Sequence, residues 1–334
     1  MRNILKFGLI ASCALAANAF AQDFCNTTTH SGKSVTETSN KVGEIGGIGY
    51  ELWNEGGNGG SATFYEDGSF NCKMTGAKDY LCRTGLSFNS DKTHEEIGHM
   101  KADFKLVKTG LSGIDYSYIG IYGWTREPLV EWYIVDNTGS QYMPGDWVAQ
   151  GSSAKNHGEY EIDGAKYKVY EGDRTSYSID GDNKYFKQYF SVRTSKRDCG
   201  TIDITAHFKK WEELGMKMGK MHEAKILGEA GSTSGANAKG EYDFPYAKVY
   251  IEGAEQSSSS VEPESSSSES MAIQGIRSMS AGSNTSLVFD AQGKFLSSFE
   301  AANEESLIAS IKAKFNSGVY LVKQGKAVRS ISVK

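Results

Sequence analysis

Pro128-Leu129-Val130-Glu131-Trp132-Tyr133-Ile134-Val135 is the most strand-like stretch of the chain, and it decides the fold. Alternation with period two puts Leu129, Glu131, Tyr133 and Val135 on one face and Val130, Trp132 and Ile134 on the other. Both faces are largely apolar, so a central strand is expected, with its second face in a cleft or under cover. Segments of the same character recur on either side: 47–53 (GIGYELW), 61–66 (SATFYE), 117–124 (SYIGIYGW), 166–171 (KYKVYE) and 185–193 (YFKQYFSVR). They are short, rich in β-branched and aromatic residues, and bounded by Gly, Asp or Asn. One stretch breaks the pattern. After Asp203, residues Ile204, Phe208, Trp211 and Leu214 fall at helical spacing, and Gly215 follows as a stop. One helix among many strands predicts an all-β chain, a two-sheet β-sandwich or jelly roll with the helix packed against it.

Composition supports this reading. There are 38 glycines against 4 prolines, and 11% of the 334 residues are aromatic, as tight turns and polar-tipped rings on open sheet faces require. The net charge of −5 disfavours a nucleic-acid partner held by phosphate neutralisation. No segment after the N-terminus reaches the ~20 apolar residues of a membrane span.

The N-terminus reads as a signal peptide, residues 1–21. Arg2 and Lys6 precede a short apolar run, and Ala19-Phe20-Ala21 supplies an A-x-A cleavage signal, so cleavage is expected after Ala21 and the product is expected to be secreted. A rival reading lipidates Cys13 after Ile10-Ala11-Ser12, although the apolar stretch before it is very short. A second boundary is compositional. Nine of the fourteen residues from Ser257 to Ser270 are serine, interleaved with Glu and Pro, so 256–270 is expected to be a solvated linker. It separates a large domain, 22–255, from a small β module, 271–334.

Without Cys13, four cysteines remain: Cys25, Cys72, Cys82 and Cys199. An exported chain with an even count is expected to form two disulfides. Three connectivities are open, and Cys72 with Cys82, across a Gly-containing turn, is the favoured pair. The run Thr93-His94-Glu95-Glu96-Ile97-Gly98-His99 has one residue too many for two histidines on one helix face. Both histidines are read as surface residues, and no metal site is expected.

Two glutamates stand in unsuitable places. Glu131 lies in the apolar strand above. Glu229 ends the apolar run Ala224–Gly228 and precedes a stretch of small residues that leaves room beside its carboxyl. Spacing alone also allows an exposed or ion-paired side chain at each. Trp53, Tyr122, Trp124 and Tyr133 sit on strands among polar neighbours, where flat rings with hydrogen-bonding edges suit a sugar.

Tyr122-Gly123-Trp124-Thr125-Arg126-Glu127-Pro128-Leu129-Val130-Glu131-Trp132-Tyr133-Ile134-Val135 resembles the signature of glycoside hydrolase family 11, the endo-β-1,4-xylanases. The resemblance extends over most of residues 46–251. Gly49–Gly57 resembles the family's first substrate-facing strand, Tyr177-Ser178-Ile179-Asp180-Gly181 its thumb loop, and Tyr189–Arg193 the strand that follows. His207–Leu214 is similar to its one helix, and Glu229–Gly235 to its second carboxylate motif.

The resemblance implies a secreted, retaining enzyme that cuts internal bonds of xylan, with no cofactor. Glu131 would be the nucleophile and Glu229 the general acid/base, ~5–5.5 Å apart. Two close carboxyls resist ionising together, which divides the roles. Trp53 would stack on a xylose on the non-reducing side of the cut. Tyr122 and Tyr133 would bind near the nucleophile, while Arg174 and Gln188 match the polar pair at the thumb's base and Ile179 its tip. Asp79 falls where the family places Asn or Asp beside the acid/base, and Asp there goes with an acidic optimum. The chain departs from the pattern at Tyr177, where the thumb has proline, at Glu127, and at Ala230-Gly231, which loses an aromatic near the cleft. The other class in play is a non-catalytic carbohydrate-binding jelly roll, which would share the aromatics but needs no carboxylate pair.

Residues 271–334 resemble the C-terminal sorting modules of type IX-secreted proteins, through the D-x-x-G-K turn Asp290–Lys294 and the terminal hairpin from Gly318. A small β-sandwich engaging secretion or cell-surface machinery is expected. A carbohydrate-binding module is the alternative, against which stands a tail with no tryptophan and one tyrosine.

Overall fold

A computed structural model describes residues 23–55, 59–253, 285–289, 295–300, 304–315, 318–324 and 327–333. The expected signal peptide, the linker and the Asp290–Lys294 turn lie outside them. The chain divides after Glu255 into two compact units.

The Glu131 segment forms β9 (Val130–Asn137), every residue of which is buried. Its neighbours in the chain are β7 (Met100–Ser112), β8 (Tyr116–Arg126), β10 (Lys155–Ile162), β11 (Ala165–Ser178) and β12 (Gly181–Arg193). Before these come β1 (Ser34–Glu37), β2 (Lys41–Ile45), β3 (Ile48–Asn54), β4 (Gly60–Tyr65), β5 (Phe70–Ala77) and β6 (Asp79–Ser87), with a one-turn helix α1 (His94–Ile97) preceding β7. After them come β13 (Cys199–Asp203), α2 (Ile204–Glu213), β14 (Lys220–Gly231) and β15 (Ala238–Ile251). Nine strands pair in the order β10-β11-β12-β9-β8-β14-β6-β3-β2, and six in the order β1-β4-β5-β15-β7-β13. The β9–β12 pair is parallel.

The two sheets pack as a sandwich, the jelly roll expected from the alternation. Val130, Trp132 and Ile134 join the core between the sheets with Phe64, Phe70, Phe104, Tyr242 and Phe244. Tyr133 and Val135 point the other way, into a second apolar cluster with Tyr118, Tyr122, Trp124, Phe186 and Phe190. A sheet covered on one face by its partner and on the other by a layer of aromatics explains why this strand reads as apolar on both sides. Asp203 caps α2 by accepting from Ala206 N at 2.8 Å. Phe208 and Trp211 of α2 then pack against Trp132, and Trp211 Nε1 donates to Ser191 Oγ at 2.9 Å.

Two disulfides close the unit. Cys72–Cys82 joins β5 to β6, and so ties one sheet to the other, as favoured from sequence. Cys25–Cys199 ties the short 3-10 turn Asp23–Asn26 to the start of β13.

His94 corrects the surface reading. It is buried, edge-on to Phe208, with Nε2 3.1 Å from Glu212 Oε2. The capping box between Thr93 and Glu96 starts α1 at His94 and turns that ring inward against α2. His99 is half-buried, 2.7 Å from Asp203 Oδ2. His94, Glu95 and Glu212 bring ligand-type atoms within 4.8 Å of one another, a grouping that spacing along one helix does not anticipate.

The second unit is one antiparallel sheet, β17-β16-β18-β19, built from β16 (Thr285–Phe289), β17 (Phe295–Glu300), β18 (Gly318–Gln324) and β19 (Ala327–Val333). A helix, α3 (Glu304–Lys314), covers it, so the expected small sandwich is instead a sheet with a helix. Leu307 and Ile311, one turn apart, pack with Val288, Tyr320, Val322 and Ile331. That spacing, inside a stretch of Glu, Ser and Lys, is the helical signal in the tail. Among the described residues no helix is long and apolar enough to cross a membrane.

Candidate active site

Strand register assembles the site. Parallel pairing sets Gln188 beside Glu131, and antiparallel pairing with β8 sets Trp124 beside Glu131 and Tyr122 beside Tyr133. Tyr122 Oη donates to Glu131 Oε1 at 2.8 Å, Tyr133 Oη donates to the same oxygen at 3.1 Å, and Gln188 Nε2 donates to Oε2 at 2.6 Å. Trp124 Nε1 donates in turn to Tyr122 Oη. Three donors and no acceptor converge on a carboxyl that is 8% exposed, an arrangement suited to an ionised, oriented carboxylate.

Glu229 is the opposite case. It lies on β14 between β6 and β8, opposite Leu81 and Tyr118, and is 4% exposed. Its Oε2 is buried with no hydrogen-bond partner. Burial first, then the charges of Asp79 and Glu131, push its pKa well above the ordinary carboxylate range. The residue before it, Gly228, lies over the Cys72–Cys82 bridge: a Cβ there would come within 3.0 Å of Cys72 Sγ.

Asp79, at the start of β6, also titrates high, mainly through burial, while the hydrogen bond from Tyr116 opposes the shift. Tyr116 Oη donates to Asp79 Oδ1 at 2.8 Å. Tyr116 stands opposite Gly231, and a Cβ on Gly231 would meet the Tyr116 ring at 2.1 Å. The aromatic that the motif lacks at position 231 is therefore replaced in space by a ring from the next strand.

Trp53, Asp79, Tyr122, Glu131, Tyr133, Arg174, Ile179, Gln188 and Glu229 all line one cleft of ≈ 1280 Å³. This is larger than the ~300–1,000 Å³ typical of small-molecule pockets and suits a chain-like ligand. Trp53 and Tyr177 face one another across it, ring centroids 6.0 Å apart. The β11–β12 turn that carries Ile179 and Asp180 is tethered by Arg126: Nε to Asp180 Oδ1 at 2.5 Å, and Nη2 to the Ile179 carbonyl at 3.0 Å. At the cleft's other end Trp147 stacks on Tyr118 at 5.9 Å.

Comparison with known proteins agrees with this geometry. Residues 46–240 match the family model described as Glycosyl hydrolases family 11. The chain belongs to glycosyl hydrolase family 11. It is 68% identical over 229 residues to "Endo-1,4-beta-xylanase A" of Piromyces sp, covering 69% of this chain and 36% of that protein. It is 63% identical over 238 residues to "Endo-1,4-beta-xylanase C" of Neocallimastix patriciarum, covering 71% and 48%. "Endo-1,4-beta-xylanase C" of Fibrobacter succinogenes is 52% identical over 276 residues, covering 80% and 45%. The chain thus spans between a third and a half of the length of these relatives. Among solved structures, wild-type ENZbleach xylanase superposes with a TM-score of 0.59 at 36% identity, covering 68% of this chain and 90% of that one.

This member of glycosyl hydrolase family 11 carries cleft residues that its sequence pattern does not bring forward. Glu51, Arg83, Glu223 and Lys225 form a charged quartet on the cleft floor. Alternation on β14 sets Glu223, Lys225, Leu227 and Glu229 on one face, yet the run 224–228 reads simply as apolar. Arg83, in the otherwise uncharged stretch Tyr80–Leu86, is the visible signal. Tyr116, Tyr118 and Trp147 escape notice because nothing in their spacing separates cleft rings from core rings.

Proposed function

We propose that this family 11 chain is a secreted endo-1,4-β-xylanase, hydrolysing internal xylan bonds by retaining double displacement. The observation that carries the reading is the asymmetry of its two buried carboxyls. Glu131 receives three hydrogen bonds, while Glu229 has an unpartnered oxygen and a pKa held high. Glu131 attacks the anomeric carbon as Glu229 protonates the leaving oxygen. Glu229, now ionised, takes a proton from the water that releases the glycosyl-enzyme. Trp53 stacks on a sugar on the non-reducing side, with Arg174 and Ile179 on the thumb side of the cleft.

The test uses soluble xylan and carboxymethyl cellulose, with reducing ends and product anomers followed by NMR. Release from xylan alone, with the β-anomer appearing first, is expected. α-Anomer first means an inverting enzyme and overturns the mechanism. Binding without release points to the carbohydrate-binding reading.

We also propose that activity requires a proton on Asp79 as well as on Glu229. Asparagine holds its protons at every pH, so Asp79→Asn is expected to move the alkaline limb of the kcat/KM profile upward, by about one pH unit. An unmoved profile removes Asp79 from the proton inventory.

Around this domain we propose a signal peptide (1–21), a catalytic domain (22–255), a linker (256–270) and a sorting or attachment module (271–334). The tail has six basic and no acidic residues from Lys312 onward, which suits contact with export or cell-surface machinery. Deleting residues 271–334 is expected to change where the enzyme accumulates and not its turnover of xylan.

A further inference from the structure

The charged quartet has no place in the two-carboxylate mechanism. Arg83 Nη2 lies 2.7 Å from Glu51 Oε2 and 3.2 Å from Glu223 Oε1, and Glu223 also pairs with Lys225. Arg83, Glu223 and Lys225 are each less than 5% exposed. Buried ion pairs on this scale are poor stabilisers, because desolvation offsets most of their attraction. The quartet is neutral overall, which argues against an anion site. Its geometry points elsewhere: the Arg83 guanidinium lies over the Tyr122 ring, 4.6 Å from the centroid.

We propose that Arg83 is a positioning residue for Glu131, acting through Tyr122. The inference rests on reading Glu131 as the nucleophile. A cation over the ring face fixes the plane of the phenol and draws electron density from it. Tyr122 Oη then becomes a stronger donor to Glu131 Oε1, within a chain that runs from Trp124 Nε1 through Tyr122 to the carboxylate. Glu51 from β3 and Glu223 from β14, the latter itself paired with Lys225, hold the guanidinium in place. Glu131 also faces Tyr118, Tyr133, Gln188, Glu229 and Asp79. None of those residues is substituted in the variants below, and because the Arg83 charge also pulls the Glu229 pKa down, the readout is the acid limb and not the alkaline one.

The test is the pH dependence of kcat/KM and kcat on an aryl β-xylobioside and on soluble xylan, using the full chain. Arg83→Met is expected to raise the acid limb by about one pH unit and lower kcat about 10-fold, with KM little changed. Arg83→Lys, which keeps the charge, should recover most of the limb. In a Tyr122→Phe background Arg83→Met should leave the limb where it is. The companion variant Arg83→Met/Glu223→Gln removes one charge of each sign, and it is measured if Arg83→Met alone does not fold. An unmoved acid limb in a folded variant overturns the proposal. So does an equal shift with and without the Tyr122 hydroxyl, which would mean a direct field effect. Failure of the underlying reading shows separately, as activity that survives Glu131→Gln.

Discussion

Glu131→Gln is expected to lower kcat on xylan by at least ~10⁴-fold, about 5 kcal/mol of transition-state stabilisation, with KM little changed. The amide keeps the shape of the site and part of its hydrogen bonding. It has no negative oxygen for the anomeric carbon, so the covalent step is lost on every substrate. Glu229→Ala should behave differently. Its loss is large on xylan, whose leaving sugar hydroxyl needs a proton. It is small for the first step of an activated aryl xylobioside, whose phenolate departs unaided. The glycosyl-enzyme should then accumulate, because no base remains to activate water, and azide should restore turnover by attacking the anomeric carbon directly. Mass spectrometry of the intact chain reads the trapped adduct as a mass increase of one xylobiosyl group. Equal loss on both substrates would mean that Glu229 is not the proton donor, and full activity of Glu131→Gln would place the nucleophile elsewhere.

The difference between the two variants has a physical origin that is only half visible in the sequence. Period-two alternation is enough to put Glu131 on the face of β9 away from Trp132, because a central strand leaves a carboxylate no exposed side to turn to. It cannot supply the donors. Gln188 is 57 residues away and meets Glu131 only through the parallel pairing of β12 with β9. Tyr122 arrives through the antiparallel pairing of β8 with the other side of the strand. Those partners follow from the family resemblance, and the register shows why they fall there. The same limit hides Tyr116, whose ring fills the space above Gly231 only because β8 and β14 pair in that register. His94 is misplaced by sequence for a related reason: spacing along one helix says nothing about α2, the element it packs against. In the second unit the terminal hairpin from Gly318 is legible, but the signal for α3 is faint, because its apolar stripe is two or three side chains wide.

His207 carries the second large effect, on stability. It sits on α2 with no exposed surface, its ring edge-on to Tyr167 at 4.5 Å, and neither ring nitrogen has a hydrogen-bond partner. Burial, reinforced by the nearby Arg197 charge, lowers its pKa from 6.5 to about 3. The unfolded chain therefore binds this proton more tightly than the folded one. Above about pH 6.5 the residue is neutral in both states and proton linkage contributes nothing, whereas stability falls steadily as pH drops from there towards 3. At pH 4 the penalty is about 3 kcal/mol, because each pH unit below the unfolded-state value removes about 1.4 kcal/mol. Glu229 and Asp79 work in the opposite sense, since their raised values favour proton uptake by the folded state. The variant His207→Leu isolates the one contribution. At pH 7.5 the lost packing against Tyr167 and the removal of two unpartnered ring nitrogens should offset to within about 1 kcal/mol, and relative to that difference the variant should gain about 3 kcal/mol over the parent at pH 4. Urea unfolding followed by tryptophan fluorescence reads this in the first unit alone, because all five tryptophans lie there. Parallel stability curves for the two proteins from pH 7.5 to 4 would show that this imidazole is protonated in the fold, against the dry, unpartnered environment that its neighbours give it.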